Sequence, residues 1–292
     1  MLSIIVSSYK DNLYSALATN IATTCGIEYE LIRIDNPGIM SINSAYNQGI
    51  DKSNFEHLLF VHEDVLFETS EWGKILLSTL ENVPNVGLVG LAGSTFKTKA
   101  PSGWWIDHKF QKMFITEYRN GRLIGAFNQD GLGRDFDEVV TLDGVFLASK
   151  KSLGLRFDEN LSGFHNYDLA ISIKSIQKKL KNIISYQINV KHFSSGNFNK
   201  DWVISTHHFY KMYKNFLPVR TQKIEEEVKF EKAKYLWFFN ECFYYGKLDL
   251  CLYYAFEAFK HFPMSRLPYL MILKIIFRLP SLLKGQAQLK IK

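Results

Sequence analysis

The sequence predicts an α/β fold: a Rossmann-like, mostly parallel sheet with helices on both faces, followed by an α-helical C-terminal region. Three observations carry that expectation. Short apolar runs alternate with amphipathic stretches over the first ninety residues, the pattern of a parallel sheet covered by helices. Three of those runs end in polar residues, Ser7-Ser8, Asp35-Asn36 and His62-Glu63-Asp64, and strand exits are where such sheets meet their ligands. Beyond about residue 198 the apolar residues recur at helical spacing.

The elements follow in order. Residues 3–7 (SIIVS) read as a buried strand, and Asp11 or Asn12 is placed to cap a helix to about Thr24, with Leu13, Leu17 and Ile21 on one face. Residues 29–34 (YELIRI) alternate and stop at the turn cluster Asp35-Asn36-Pro37-Gly38. A helix is expected from Ser41 to about Asp51, a buried strand over 57–61 (HLLFV), a helix from Ser70 to about Asn82, and a strand over 86–91 (VGLVGL). Residues 92–137, rich in Gly, Lys and aromatics, read as an insertion over the sheet edge with a hairpin at 118–122. Residues 139–149 resume a strand that Asp143-Gly144 interrupts. Residues 164–181 read as a helix whose first turn holds His165 and Asp168, and 183–190 as a last strand leading to His192. The implied division is 1–198 as one domain, with 1–91 and 92–198 as its halves, and 199–292 as a helical region.

Composition narrows the classes. At 47% hydrophobic and 22% charged, the 292 residues exclude a disordered chain. Cys25, Cys242 and Cys251 lack any CxxC spacing, which argues against a zinc knuckle or disulfide scaffold and fits a reducing cytosol. The start, MLSIIVSSYKDN, has no basic stretch before its short apolar run, so no signal peptide is expected. The net charge of +6 is uneven: residues 1–199 hold 19 Lys/Arg against 21 Asp/Glu, and 200–292 hold 16 against 8. That basic excess lies in an apolar tail rather than a charged groove with spaced aromatics, which excludes a nucleic-acid role. Residues 264–285 are both apolar and basic. They suit an interfacial helix on an anionic leaflet, or equally a helix packed on the domain or in a homodimer.

Two constellations carry chemistry. In an extended segment His62 and Asp64 share a side, and a carboxylate at a strand exit can hold Mg2+ or Mn2+ against a diphosphate. The competing reading is a solvated strand end. Asp168, a carboxylate at a helix start facing the sheet edge, suits a general base; the competing reading is a first-turn acid that merely complements the helix dipole. Trp104-Trp105, in a loop flanked by Gly and Pro, can stack on sugar rings, or one of the two can belong to the core. Asp143 interrupts an apolar strand and needs a partner, either a sugar hydroxyl or a backbone amide. His165 is a second base candidate or an acceptor contact.

Taken in order, SIIVSSYK, IRIDNP, SAYNQGI, LLFVHEDV, TLDGVFLASK, FDENLSGFHNYDLAI and VKHFSSG resemble the GT-A glycosyltransferases of the family-2 type over roughly residues 1–200. The His-first variant of the metal motif is similar to the subgroup named for a streptomycin-biosynthesis protein. The resemblance implies that Ser7, Ser8 and Tyr9 line the base and ribose pocket, that Asp35 or Asn36 bonds the base or ribose, and that Asn47, with Glu63, serves the donor's diphosphate side. It implies that Asp64 and His192, with His62, hold the metal and that Asp168 is the base. Three departures stand out: His62 replaces the first acid of D-x-D, Tyr46 stands where Arg is usual, and Tyr167 stands where Glu is common.

The implied activity is a glycosyltransferase of hexosyl or N-acetylhexosaminyl type. It would move a sugar, with inversion and metal assistance, from a nucleoside-diphosphate donor to a saccharide or lipid-linked saccharide. The setting expected is surface polysaccharide or glycoconjugate synthesis, in the cytoplasm or on the inner face of the plasma membrane. The alternatives are a nucleotidyltransferase, for which SSYKDN lacks the Gly- and basic-rich loop a triphosphate wants, and a non-catalytic nucleotide-sugar or glycan-binding module.

Overall fold

The computed structural model describes residues 1–119, 121–128, 133–193 and 198–283, with 126–128 and 278–283 described by their backbone alone. Asn120 of the expected hairpin turn, residues 194–196 of the VKHFSSG segment and the end of the 264–285 segment lie outside the described residues. The chain divides into two compact units. The first comprises Met1–Lys97, Gly103–Asn197 and Val219–Lys223; the second comprises Thr98–Ser102, Phe198–Pro218 and Ile224–Lys292.

The chain runs β1 (Leu2–Ser8), α1 (Asp11–Thr24), β2 (Tyr29–Asp35), α2 (Ile42–Lys52), β3 (His57–Val61), β4 (Val65–Phe67), α3 (Trp72–Asn82) and β5 (Val86–Gly90). Next come β6 (Ala92–Ser94), β7 (Phe96–Lys97), β8 (Gln111–Arg119), β9 (Arg122–Asn128), β10 (Phe136–Val139), β11 (Thr141–Leu142) and β12 (Phe146–Lys150). The rest is α4 (Tyr167–Gln177), β13 (Lys181–Ser185), β14 (Val190–His192), α5 (Lys200–Tyr213), β15 (Val219–Arg220), α6 (Glu227–Tyr244), α7 (Leu248–His261) and α8 (Arg266–Leu283).

Seven strands form the main sheet in the order β10-β13-β5-β12-β3-β1-β2. β1 is parallel to β2 and β3, and β13 to β5. β12 is antiparallel to both β3 and β5, so those two run the same way, while β10 opposes β13. The sheet is thus mostly parallel, with β10 and β12 as the reversed strands. Alternation along the strands sends Ile4, Val6, Leu59 and Val61 to a core shared with Leu17 and Ile21 of α1 and Trp72 and Leu76 of α3. Ile5, Leu58 and Phe60 face the other way, against Ile42 and Tyr46 of α2 and Ile171 of α4.

The described residues of 92–137, expected as an insertion over the sheet edge, are largely paired strands. They contribute to a second sheet, β11-β6-β8-β14-β4, with β9 paired on β8. The expected strand 183–190 is two strands, β13 in the first sheet and β14 in the second. Several helix starts also differ from expectation. α1 follows Lys10 with no side-chain cap, so neither Asp11 nor Asn12 caps it, and α3 follows Glu71, in the left-handed region (φ 54°), rather than Ser70. α4 begins at Tyr167 after left-handed Asn166 (φ 61°), which leaves His165 in the preceding turn. Ser41 does cap α2, its Oγ accepting from Ser44 N at 3.1 Å.

The second unit packs the aromatic stripes of its helices together: Trp202, Tyr210, Tyr235, Phe238, Phe239 and Tyr254 are buried in one cluster. Two of its buried acids are paired. Glu231 accepts from Lys99 N (2.6 Å) and Ala100 N (2.8 Å), and Glu257 accepts from Tyr210 Oη (2.6 Å).

Candidate active site

The chain crosses from the first sheet to the second in the three residues between β3 and β4, which are His62, Glu63 and Asp64. It crosses back through Asp143, Gly144 and Val145, between β11 and β12. The two crossings are bonded to each other, His62 N donating to Val145 O at 3.2 Å. Phe193 N donates to Asp64 O at 2.9 Å, which brings the end of β14 to the same seam. The polar residues that break the apolar runs are therefore the residues at which two sheets meet.

His62, Asp64 and His192 each offer a ligand atom, all within 4.8 Å of one another. Asp64 Oδ1 lies 3.9 Å from His62 Nδ1 and 3.6 Å from His192 Nε2. Burial holds the His192 imidazole below its usual pKa, with Asp64 pulling the other way. Its Nε2 is buried and has no hydrogen-bond partner, a costly state that a cation would relieve. Two imidazole nitrogens and one carboxylate are a chemically sound donor set for a divalent metal.

Asp168 sits in the first turn of α4. Its Oδ2 accepts from Gly144 N (3.2 Å) and its Oδ1 from Leu169 N (2.8 Å). Burial, then the Asp143 charge, pushes its carboxyl up to about 7, against those backbone donors. Glu117 of β8, in register with His192, is also raised by burial and by Asp143. Asp143 itself closes the crossing, Oδ1 accepting from Val145 N at 2.9 Å, so of its two anticipated partners the structure supplies the backbone amide.

The remaining anticipated residues divide. Ser8 is buried at the end of β1 with its Oγ unpartnered, Ser7 is half-buried, and Tyr9 and Asp35 are exposed. Asn36 is buried and closes its own turn, bonding Met40 N (3.2 Å) and Met40 O (3.1 Å). Asn47 clamps the 157–159 segment instead of offering its amide outward: it accepts from Phe157 N (3.0 Å) and donates to Phe157 O (3.1 Å) and Glu159 Oε1 (2.7 Å). Glu63 likewise turns inward, its Oε2 accepting from Tyr9 N and Lys10 N at 3.1 Å, which fixes the loop after β1. Trp104 is half-buried against the first core, whereas Trp105 is 39% exposed and edge-on to His108. His165 is half-buried just before α4.

Four residues at the site were not singled out as functional by sequence: Tyr46, Glu117, Gly144 and Tyr167. Tyr46 is fully buried with its Oη unpartnered, and burial together with Asp64 and Asp168 keeps it protonated. Tyr167 Oη lies 2.6 Å from His62 Nε2. The available signal was that both tyrosines depart from the pattern the chain otherwise resembles.

A family model described as "Glycosyltransferase like family" matches residues 3–226. No curated protein matches the sequence. Among solved structures, the fold is similar to that of GalNAc-T7 with UDP, GalNAc and Mn2+. That match has a TM-score of 0.50 and 11% identity over 82% of this chain, and covers 56% of that one, little more than half its length. It is also similar to S. aureus TarS 1–349 in complex with UDP-GlcNAc, with a TM-score of 0.50 and 13% identity over 83% of this chain and 72% of that one. At such identities the likeness is one of fold, and the fold is GT-A.

Proposed function

The chain belongs to the glycosyltransferase-like family, and from that premise we propose that it moves a sugar from a nucleoside-diphosphate donor to a hydroxyl of a saccharide or lipid-linked saccharide, with inversion. The observation that carries the reading is the gathering of His62, Asp64 and His192 at a seam whose other crossing, Asp143-Gly144, bonds Asp168. The streptomycin-biosynthesis-like subgroup is supported by the His-Glu-Asp sequence at this seam. A uridine donor and an N-acetylhexosamine are supported by the UDP and UDP-GlcNAc in the neighbouring structures.

In this reading Asp168 takes the proton of the acceptor hydroxyl as it attacks the anomeric carbon. Its buried carboxyl, pushed up to about 7, is basic enough to do so and is divided between its acid and carboxylate forms near neutral pH. Ser8 Oγ and the exposed Tyr9 ring receive the nucleoside, and Glu63 keeps their loop in place. His62, Asp64 and His192 hold a divalent cation, which when bound offsets the charge developing on the departing diphosphate. Two imidazole nitrogens favour Mn2+ over the oxygen-seeking Mg2+. Trp105 offers an apolar face to the acceptor sugar.

A lipid-linked acceptor is supported by the second unit. No helix among the described residues is long and apolar enough to cross a membrane. Yet α7 and α8 expose Phe256, Leu273, Ile276 and Phe277, and from residue 258 onward the chain carries 7 basic residues and no acid. We read this face as a peripheral contact with an anionic leaflet, such as the inner face of the plasma membrane. The catalytic reading is tested by incubating the purified protein with a panel of nucleotide sugars and Mn2+. Slow, metal-dependent hydrolysis of a donor is expected, abolished in Asp168→Asn while donor binding persists. Hydrolysis that Asp168→Asn leaves intact would contradict the assigned base.

A further inference from the structure

We propose that Tyr167 is the positioning residue that makes His62 a metal ligand, and that Gly144 is required because only glycine admits the Tyr167 hydroxyl. The inference rests on the reading of His62, Asp64 and His192 as a cation site. His62 Nε2 is taken: it lies 2.6 Å from Tyr167 Oη. The other ring nitrogen, Nδ1, faces Asp64 Oδ1 at 3.9 Å, so Nδ1 is the atom left for a cation. A ligating nitrogen needs its lone pair, which puts the ring proton on Nε2, donated to Tyr167 Oη. The neutral hydroxyl accepts that hydrogen bond without adding a charge beside Asp64.

Tyr167 is itself held on several sides. Its ring is 95% buried, edge-on to Tyr46 at 5.8 Å and 6.1 Å from Phe157. It is the first residue of α4, set by the left-handed turn at Asn166. Where its hydroxyl emerges, it passes over Gly144: a Cβ there would stand 1.9 Å from Tyr167 Oη. The same Gly144 donates its N–H to Asp168. One bare backbone unit therefore spaces both the imidazole on one side and the candidate base on the other. This explains why an apolar strand is broken by Asp143-Gly144, a feature that spacing alone leaves unexplained.

Tyr167→Phe keeps the ring and removes only the oxygen. Isothermal titration of Mn2+ into the full chain should show affinity lowered about 10- to 100-fold, the usual effect of losing the partner that orients a metal-bound histidine. Imidazole 15N spectra, with diamagnetic Zn2+ as the probe, should show His62 protonated at Nε2 in the wild type and a mixture of tautomers in the variant. Gly144→Ala should reproduce the affinity loss; if it does not fold, Tyr167→Phe decides alone. Equal Mn2+ affinity in Tyr167→Phe, or a loss of affinity with an unchanged His62 tautomer, would overturn the positioning role while leaving the cation site standing. A wild-type chain that binds no Mn2+ would overturn the site itself, and this inference with it.

Discussion

At Asp168, two backbone N–H groups favour the charged carboxylate while burial and the neighbouring Asp143 favour the neutral acid, and the second pair wins, pushing the group up to about 7. Two consequences follow. Turnover needs the ionised form, so the rate should climb with pH through about 7 and then level off, and Asp168→Asn should lower it by about 10²–10⁴-fold. Stability moves the other way. Because the folded state holds this proton more tightly than the unfolded chain does, the contribution is full below the ordinary carboxyl value and is lost as pH rises through about 7. Urea midpoints of the metal-free protein, compared with Asp168→Asn at about pH 5 and about pH 8, should show the wild type losing ground to the variant at the higher pH. Asp64 and Asp168 stand out in the sequence because one follows a strand exit and the other opens a helix, whereas His192, the last residue of β14, is marked only by the resemblance. Asn47 and Glu63 point inward because their nearest unsatisfied groups are backbone amides and carbonyls, which no motif spacing reveals.

At the scale of elements, the strands of the main sheet and the helices in the first ninety residues could be read because each is long enough to show its period. The second sheet could not. Its strands β4, β6, β11 and β14 are two or three residues long, and their partners are distant in sequence. His192 pairs with Val65, for example, and Thr141 with Ser94. The closeness of α2 to β1 depends on a residue without a side chain: a Cβ at Gly49 would stand 2.2 Å from Ile5 Cγ2. Gly49→Ala should therefore destabilise the fold by about 1–3 kcal/mol through overpacking, despite the better helix propensity of alanine. A lowered denaturation midpoint checks this, and an unchanged or raised one would show that α2 shifts freely.

For the whole molecule, the two units carry different burdens. The first holds every candidate catalytic residue, and the second presents exposed apolar side chains among basic ones. In the proposed reading, the basic residues among these exposed apolar side chains would meet an anionic lipid surface. Sedimentation with vesicles containing phosphatidylserine should retain the wild type at low salt, and Ile276→Glu with Phe277→Glu should release most of it. Binding to vesicles without anionic lipid, or a stable dimer in solution, would point to the other partners. The central claim is that His62, Asp64 and His192 form the metal half of a nucleotide-sugar site. Thermal unfolding with UDP, Mn2+ or both tests it most directly, since a ligand that binds only the folded state raises its midpoint. The account predicts that UDP stabilises the wild type strongly only with Mn2+ present, and that Asp64→Ala and His192→Ala lose this joint effect. Equal stabilisation by UDP with and without Mn2+, or none under any condition, would contradict it.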